Sequence, residues 1–319
     1  MTDSHKLAGL DALRGIAILL VIVAHFGSGL TGGEASIVFG NAGVILFFFL
    51  SGFLMDWTLS FEQNVVKYAI RRSFRILPMY WISIALIMLG GRDWTWSQVF
   101  SNATFTAPVT GSERMLGVYW TLYIEVLFYC FVPVIFYLGT RAIRSSVYVA
   151  LVVLGLIAFT HGIGTGAPFY LLFCLCGMQI SEWYRKKLAS AEVIAAVVIV
   201  SGSFGLLMPL PFYMGLVPLA CAAMVPAALF LKVRLKPLEF FGTVSYSWYL
   251  LHSIFGYGLL TLHVSQPVSL LIGACFTLAL SIGAYNLVER PSIVAGKTLI
   301  KKYSLAIKTG ASTFPRRLP

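Results

Sequence analysis

Apolar residues occur in long runs along this chain, and short stretches rich in glycine, proline or charge separate the runs. A run of about 20 apolar residues is long enough for a helix to cross a bilayer. Runs of this kind lie near residues 9–28, 38–59, 75–91, 118–138, 145–163, 168–184, 190–208, 212–231, 244–263 and 267–288. The pattern predicts an all-α polytopic membrane protein with about ten transmembrane helices.

The composition supports a chain surrounded by lipid. Hydrophobic residues make up 59% of the 319 positions and charged residues 11%, and the mean hydropathy is +0.86. A soluble domain carries about 25% charged residues, so lipid must replace water around most of this chain. The net charge of +11 does not indicate nucleic-acid binding, because membrane topology explains most of it. The five cysteines lie in apolar runs, so we expect buried small side chains and no disulfide framework.

The basic residues predict the orientation of the spans. Ten spans place both termini on one side of the membrane. If that side is the cytoplasm, Arg92 and Arg114 are the only outer residues among the 23 lysines and arginines. This asymmetry follows the positive-inside rule and predicts an N-in, C-in topology. We expect one transmembrane domain over residues 1–295 and a basic cytoplasmic tail over residues 296–319.

Ionisable residues inside apolar spans are rare and mark function by default. Arg14 and His25 are eleven residues apart in the first span, which places them about 20° apart around a helix and roughly 16 Å apart along it. Arg14 then lies near the cytoplasmic surface and His25 in the outer half of the membrane. Asp11, one turn earlier, is placed to pair with Arg14. The alternative is a topogenic arginine and a hydrogen-bonded structural histidine.

Two further groups of charged residues suggest chemistry. Arg71, Arg72 and Arg75 precede the third span, and their spacing lets one helical face present two guanidiniums to phosphate oxygens. Ordinary positive-inside charge is the alternative explanation. Glu125 lies about two turns into the fourth span from the outer side, at a depth like that of His25. A His–Glu pair is therefore geometrically reasonable, and a structural carboxylate bonded to tyrosine or tryptophan neighbours is the alternative.

The polar residues in the remaining spans have weaker signals. His252 lies in the middle of the ninth span, and Glu289 lies near the cytoplasmic end of the last. Either could line a cavity, but we favour packing or hydrogen-bonding roles for both. Ser51 is a polar lining candidate in the second span, and no local base suggests that it is a nucleophile.

Several stretches, taken together, resemble the acyltransferase-3 family of membrane O-acyltransferases. In chain order they are LDALRGIAILLVIVAH, GNAGVILFFFLSGFL, RRSFRILPMYW, YWTLYIEVLFY, and SYSWYLLH with VERP. The resemblance implies ten spans, an acyl-CoA donor and an extracytoplasmic, usually carbohydrate, acceptor. We expect a bacterial inner-membrane protein that uses acetyl-CoA and no metal, with succinyl as the alternative acyl group. Because the chain stops soon after the last span, it resembles the stand-alone members rather than those with a fused esterase-like domain.

The resemblance also implies roles for individual residues. It marks Arg14 and His25 as functionally essential and places Arg71, Arg72 and Arg75 towards the donor. From the residues themselves, we take Arg14, Arg71, Arg72 and Arg75 as donor-binding candidates, and Asp11, Ser51, Trp120, Tyr123 and His252 as candidates for lining the substrate site. His25 is the candidate general base for the acceptor hydroxyl, because imidazole titrates near neutral pH. Glu125 could hold its tautomer and stabilise the imidazolium. An acyl-histidine relay is the alternative mechanism.

A transporter or channel would also explain many spans and intramembrane charge. A transporter more often shows an internal repeat with interrupted helices in matching positions, and the sequence shows no such repeat. A purely structural membrane protein leaves the buried histidine and glutamate without a reason. The sequence therefore predicts acyl transfer from cytoplasmic acyl-CoA to an external carbohydrate hydroxyl, with transport of a small or lipid-linked substrate as the alternative.

Overall fold

The computed structural model describes residues 4–138, 141–160, 166–208, 210–231, 234–260 and 265–308, and these residues form helices without β-strands. The all-α polytopic fold predicted from the sequence is confirmed. The helices are α1 (Ser4–Phe26), α2 (Ser28–Phe61), α3 (Val65–Leu89), α4 (Trp96–Ala103), α5 (Ala107–Thr110), α6 (Tyr119–Leu138), α7 (Arg141–Thr160), α8 (Gly166–Tyr184), α9 (Ser190–Leu207), α10 (Leu216–Leu231), α11 (Lys236–Leu260), α12 (Gln266–Ala284) and α13 (Arg290–Lys308).

Seven helical segments in the described ranges are long and apolar enough to cross a membrane. They are Gly9–Phe26, Gly32–Phe61, Val65–Leu89, Tyr119–Tyr137, Ser190–Leu207, Phe212–Leu231 and Pro267–Ile307. The other three predicted spans fall on α7, α8 and α11, which are helical but are not among the seven. A count of ten and the absolute orientation therefore stay predictions.

Contacts between helices show their relative directions. A Cβ at Gly15 would meet Leu238 at the start of α11, and Phe26 at the far end of α1 packs against Gly256. The first and ninth predicted spans are thus parallel, as an alternating path through ten spans requires.

The second and sixth predicted spans are parallel in the same way. Tyr170 on α8 donates to Asn41 on α2 over 3.0 Å at one end, and Arg185 forms an ion pair with the fully buried Asp56 at the other. Both pairs of directions agree with the predicted alternation.

Glycines let α2 and α8 meet backbone to backbone. A Cβ at Gly52 would lie 1.8 Å from the carbonyl oxygen of Cys174, and one at Gly177 would lie 2.1 Å from that of Phe49. Small residues permit such close approach between membrane helices, where packing rather than the hydrophobic effect drives association. The contact holds the cavity-lining part of α2 against the bundle.

The predicted outer loop over residues 92–117 folds back onto the bundle around one buried asparagine. The Asn102 side chain accepts hydrogen bonds from the Tyr123 hydroxyl over 2.6 Å and from the Met115 amide over 3.1 Å. It donates to the Glu113 carbonyl over 2.9 Å, and its own carbonyl accepts from the Tyr80 hydroxyl over 2.8 Å. The loop is therefore fixed to both α3 and α6.

Two helices extend beyond the apolar runs that predicted them. The third begins at Val65 rather than near residue 75, and the Asn64 side chain caps it by accepting from the Lys67 amide over 2.9 Å. The last continues from α12 through a π-helical turn into α13, so the predicted tail begins as a helix. Residues 309–319 of that tail lie outside the described ranges.

The five cysteines are free thiols, but their environments differ. Cys174, Cys176 and Cys221 are buried, as expected, whereas Cys130 and Cys275 are exposed. The sequence-based expectation of burial was wrong for these two, because an apolar helix in lipid turns part of its apolar surface away from the bundle.

Candidate functional site

A cavity lies among α1, α2, α3, α6 and α11. Five residues singled out from the sequence line it, namely Arg14, Ser51, Arg72, Arg75 and Glu125. Most of the remaining wall is apolar, and tyrosines contribute the other large polar groups. The fold thus brings polar residues from four separate helices to one cavity.

Arg14 is held at this cavity by its own helix and by α11. It donates a 2.6 Å hydrogen bond to Asp11, as the sequence predicted. A Cβ at Gly242 on α11 would lie 1.9 Å from the Asp11 carbonyl oxygen and 3.3 Å from the Arg14 Cβ. The absence of a side chain at Gly242 therefore allows α11 to press directly against the turn that carries the pair.

Arg72 and Arg75 enter the cavity from α3. The Arg72 guanidinium carbon lies 5.9 Å from the ring centre of Tyr68 and 5.5 Å from that of Tyr129, and its buried Nε atom has no hydrogen-bond partner. Arg75 makes no hydrogen bond or ion pair within the described ranges. Both lie close enough to Arg14 for electrostatic repulsion. Such a cluster has unused donors for an anion.

Arg71 is separated from this cluster although it belongs to the same predicted motif. It is turned outside the cavity lining and forms an ion pair with Glu62. Lys67 contacts the same carboxylate over 3.0 Å. Of the pairs that the spacing allowed, the structure brings Arg72 and Arg75 together.

Glu125 forms hydrogen bonds with residues other than His25. The Ser51 hydroxyl donates to its Oε1 atom over 3.0 Å, and the Tyr129 hydroxyl donates to the same atom. This arrangement fits the alternative of a carboxylate bonded to a tyrosine neighbour. Tyr129 was missed, although its position four residues after Glu125 on a helix was the signal that could have identified it.

His25 obtains its tautomer from its own helix. Its Nδ1 atom lies 2.8 Å from the Val21 carbonyl oxygen. Because a carbonyl only accepts, we assign the proton to Nδ1, which makes Nε2 the basic atom of the neutral ring. The ring next to it belongs to His252, with 4.9 Å between centroids. The tautomer therefore needs no carboxylate, and the catalytic roles of His25 and Glu125 stay predictions.

Tyr249 lines the cavity and also lies beside His252. Its hydroxyl lies 2.8 Å from the Thr121 hydroxyl, and both residues line the cavity. Its ring lies 5.7 Å from that of His252, whereas neither histidine is part of the cavity lining. The Thr121–Tyr249 contact therefore forms the part of the cavity wall that lies next to His252.

Two other predicted residues have neighbours that explain their positions. Trp120 packs on Tyr170 with 4.8 Å between ring centroids, and Tyr123 holds the outer loop through Asn102. Their substrate contacts, like those of Asp11 and Ser51, stay predictions. No group of three or more metal-ligating side chains was found in the described part of the chain.

Glu289 makes a hydrogen bond, as favoured from the sequence. It is buried, and its Oε2 atom accepts from the Ser247 hydroxyl over 2.7 Å. Its Oε1 atom is buried without a hydrogen-bond partner. The carboxyl group lies within electrostatic reach of Arg75 and Arg14, so it is a close neighbour of the arginine cluster.

Comparison with known proteins identifies relatives over most of the chain. ExoZ, an exopolysaccharide production protein of Rhizobium meliloti (strain 1021), is 29% identical over 290 residues, covering 81% of this chain and 91% of ExoZ. Nodulation protein 10 of Rhizobium leguminosarum bv. viciae is 26% identical over 174 residues, which cover 44% of this chain and 47% of that protein. The O-acetyltransferase OatA of Staphylococcus aureus is 25% identical over 314 residues, which cover 79% of this chain and 51% of OatA.

No solved structure matches this chain. The family model described as an acyltransferase domain matches residues 7–286, a range that holds every residue lining the cavity. This multi-pass helical membrane protein therefore belongs to the acyltransferase-3 family.

Proposed function

We propose that this protein is an inner-membrane O-acyltransferase that moves an acyl group, most simply acetyl, from cytoplasmic acyl-CoA to a hydroxyl of an extracytoplasmic carbohydrate. The observation that best supports this proposal is the cavity in which Arg14, Arg72 and Arg75 converge. The names of ExoZ and OatA support a polysaccharide acceptor and O-acetylation. The polar donors in the cavity suit the phosphates of a coenzyme A thioester better than they suit lipid.

The donor would enter from the arginine end of the cavity. Guanidiniums would hold its phosphates, and the narrow pantetheine arm would extend along the apolar wall towards Tyr249. Arg14 and His25 are roughly 16 Å apart along α1, and this distance is of the right order for the length of that arm. The contact between Thr121 and Tyr249 would have to open before the thioester could reach His25. The coenzyme itself would never cross the membrane.

The chemistry assigned to His25 is general-base catalysis. Its Nε2 atom takes the proton of the acceptor hydroxyl as the oxygen forms a bond with the thioester carbonyl carbon. The carbon–sulfur bond then breaks, and the proton passes from the imidazole to the departing thiolate. In the alternative relay, Nε2 attacks the thioester carbonyl carbon and displaces the coenzyme A thiolate. The acceptor oxygen then bonds to that carbon, the carbon–nitrogen bond to His25 breaks, and the hydroxyl proton passes to the thiolate.

The test is acyl transfer by purified protein in liposomes. Radiolabelled acetyl-CoA serves as donor, and polysaccharide from a strain lacking the gene serves as acceptor. We expect His25→Ala to lower the rate of acyl transfer by about 10²–10⁴-fold or more. The variant should stay monodisperse and still bind coenzyme A. An acyl adduct on His25, found by mass spectrometry after incubation with donor alone, would favour the relay. Near-wild-type turnover of His25→Ala would remove the catalytic assignment.

The acceptor is identified in the cell. Polysaccharides from the deletion strain and from the complemented strain are compared by NMR for O-acetyl signals. We expect one polysaccharide to lose its O-acetyl groups in the deletion strain and to regain them with the wild-type gene. Unchanged acetylation of every surface polysaccharide would contradict the proposed acceptor class.

A further inference from the structure

His252 is a second imidazole beside His25 and has no role in the chemistry described above. It lies on α11 and is completely buried. Its ring centroid is 4.9 Å from that of His25, 5.7 Å from that of Tyr249 and 6.1 Å from that of Phe26. It therefore contacts both Tyr249, which lines the arginine-lined cavity, and the proposed general base.

The tautomer of His252 is the same as that of His25. Its Nδ1 atom lies 3.1 Å from the Trp248 carbonyl oxygen, one turn earlier on the same helix. The carbonyl can only accept, so Nδ1 carries the proton and Nε2 is the basic atom. That Nε2 atom is buried without a hydrogen-bond partner. Buried polar atoms without a hydrogen-bond partner are rare in native proteins, so this atom calls for an explanation.

We propose that His252 is a positioning residue that shares with His25 the proton removed from the acceptor hydroxyl. The inference rests on the proposed function and deepens it. When the acceptor oxygen bonds to the thioester carbonyl carbon, its proton goes to Nε2 of His25, and Nε2 of His252 accepts a hydrogen bond from, or briefly holds, that proton. When the carbon–sulfur bond breaks, the proton returns through His25 to the thiolate. No other reactant is required.

The first variant is His252→Asn. The asparagine amide nitrogen takes the place of Nδ1 and keeps the donation to the Trp248 carbonyl, while the second base is lost. We expect kcat for acyl transfer to fall by about 10²-fold, near the lower end of the range for a positioned acid–base group. The KM for acetyl-CoA and the affinity for coenzyme A should stay within about twofold, and the solvent deuterium isotope effect on kcat should rise.

A second variant and a control separate this role from packing. His252→Gln places an amide oxygen near the Nε2 position, where it can accept a hydrogen bond but cannot take a proton, so it should recover part of the lost turnover. Thr277→Val is the control, because Thr277 accepts a 3.0 Å hydrogen bond from the Trp248 indole at the same α11–α12 contact. It should lower the melting temperature without changing the isotope effect.

The outcomes are decisive in both directions. Full turnover of His252→Asn, or losses of turnover and melting temperature that match those of Thr277→Val, would overturn the proposal. Failure of both His252 variants to fold would assign His252 to packing and would overturn it as well. A wild-type protein without transfer activity would instead overturn the proposed function, so the two failures are distinguishable.

Discussion

Three guanidiniums converge in an apolar bundle, and their interactions with neighbouring side chains differ. Arg14 has a carboxylate partner in Asp11. Arg72 is placed over two tyrosine rings. Arg75 makes no hydrogen bond within the described ranges. Like charges in a low-dielectric space repel one another, so a polyanionic ligand would gain more binding energy here than at an exposed basic surface.

This arrangement predicts unequal effects of arginine substitutions on donor binding. Arg72→Ala and Arg75→Ala should each weaken coenzyme A affinity about tenfold or more, because a charge-assisted hydrogen bond contributes about 1.5–3 kcal/mol. Lysine at either position should restore only part of the affinity, because a forked contact becomes a point charge. Titration calorimetry in lipid nanodiscs measures these affinities.

Other basic residues provide control variants for the measurement of coenzyme A affinity. Lys187→Ala removes the same charge from an exposed position between α8 and α9 and should leave the affinity unchanged. Arg71→Ala should cost less than Arg72→Ala, since Arg71 is paired with Glu62 outside the cavity lining. Equal affinity of all these variants with the wild type would refute the assignment of the donor site.

Glu125 is expected to act on turnover rather than on donor affinity. Glu125→Gln keeps the shape of the group that accepts from Ser51 and Tyr129 but removes its charge. We expect kcat to fall by about 10²-fold, as for the loss of one preorganised electrostatic group. Ser51→Ala keeps the charge, removes one hydrogen bond and should cost less. If calorimetry instead shows that Glu125→Gln mainly weakens coenzyme A binding, Glu125 belongs to the donor site.

At the scale of helices, backbone contact between α2 and α8 is the feature most sensitive to small changes. A Cβ at Gly177 would lie 2.1 Å from the Phe49 carbonyl oxygen, so Gly177→Ala must push the helices apart. We expect the free energy of unfolding to fall by about 1–3 kcal/mol, as for other overpacked interiors, and the melting temperature in detergent to fall with it.

A matched glycine provides the control for this prediction. Gly202 lies on α9, and a Cβ there would have no neighbour within 4 Å. Gly202→Ala should be neutral or stabilising by up to about 1 kcal/mol, because alanine is the better helix former. Melting temperatures are compared by scanning fluorimetry. Equal behaviour of the two variants would mean that α2 and α8 do not meet as closely as described.

At the scale of the whole molecule, the proposed direction of acyl transfer depends on the predicted membrane topology. The proposed transfer across the membrane requires the arginines on the cytoplasmic side and His25 towards the outside. Reporter fusions after Ser60 and Lys187 should therefore read cytoplasmic, and fusions near Gly33 and Gly111 should read external, because the basic residues are so unevenly distributed. A cytoplasmic signal at Gly111 would reverse the outer loop and with it the direction of transfer.

The helix boundaries show how far hydropathy alone can predict the elements. It located the apolar part of each helix, because lipid demands an apolar surface. It did not predict that α3 begins at Val65 or that the last helix continues to Lys308. Outside the hydrocarbon, local capping and packing decide where a helix ends, as the Asn64 cap and the contact of Gly296 with Phe74 illustrate.

The sequence by itself determined the all-α membrane fold, the family motifs and the pairing of Asp11 with Arg14. These properties depend on hydrophobicity and on spacing within one helix, and both can be counted along the chain. Only the tertiary structure decided that Arg72 and Arg75 join Arg14 while Arg71 turns away. It also decided that His25 has His252 as its neighbour and that Glu125 bonds Ser51 and Tyr129. Contacts between helices depend on rotation and on close backbone approach, which a sequence pattern does not contain.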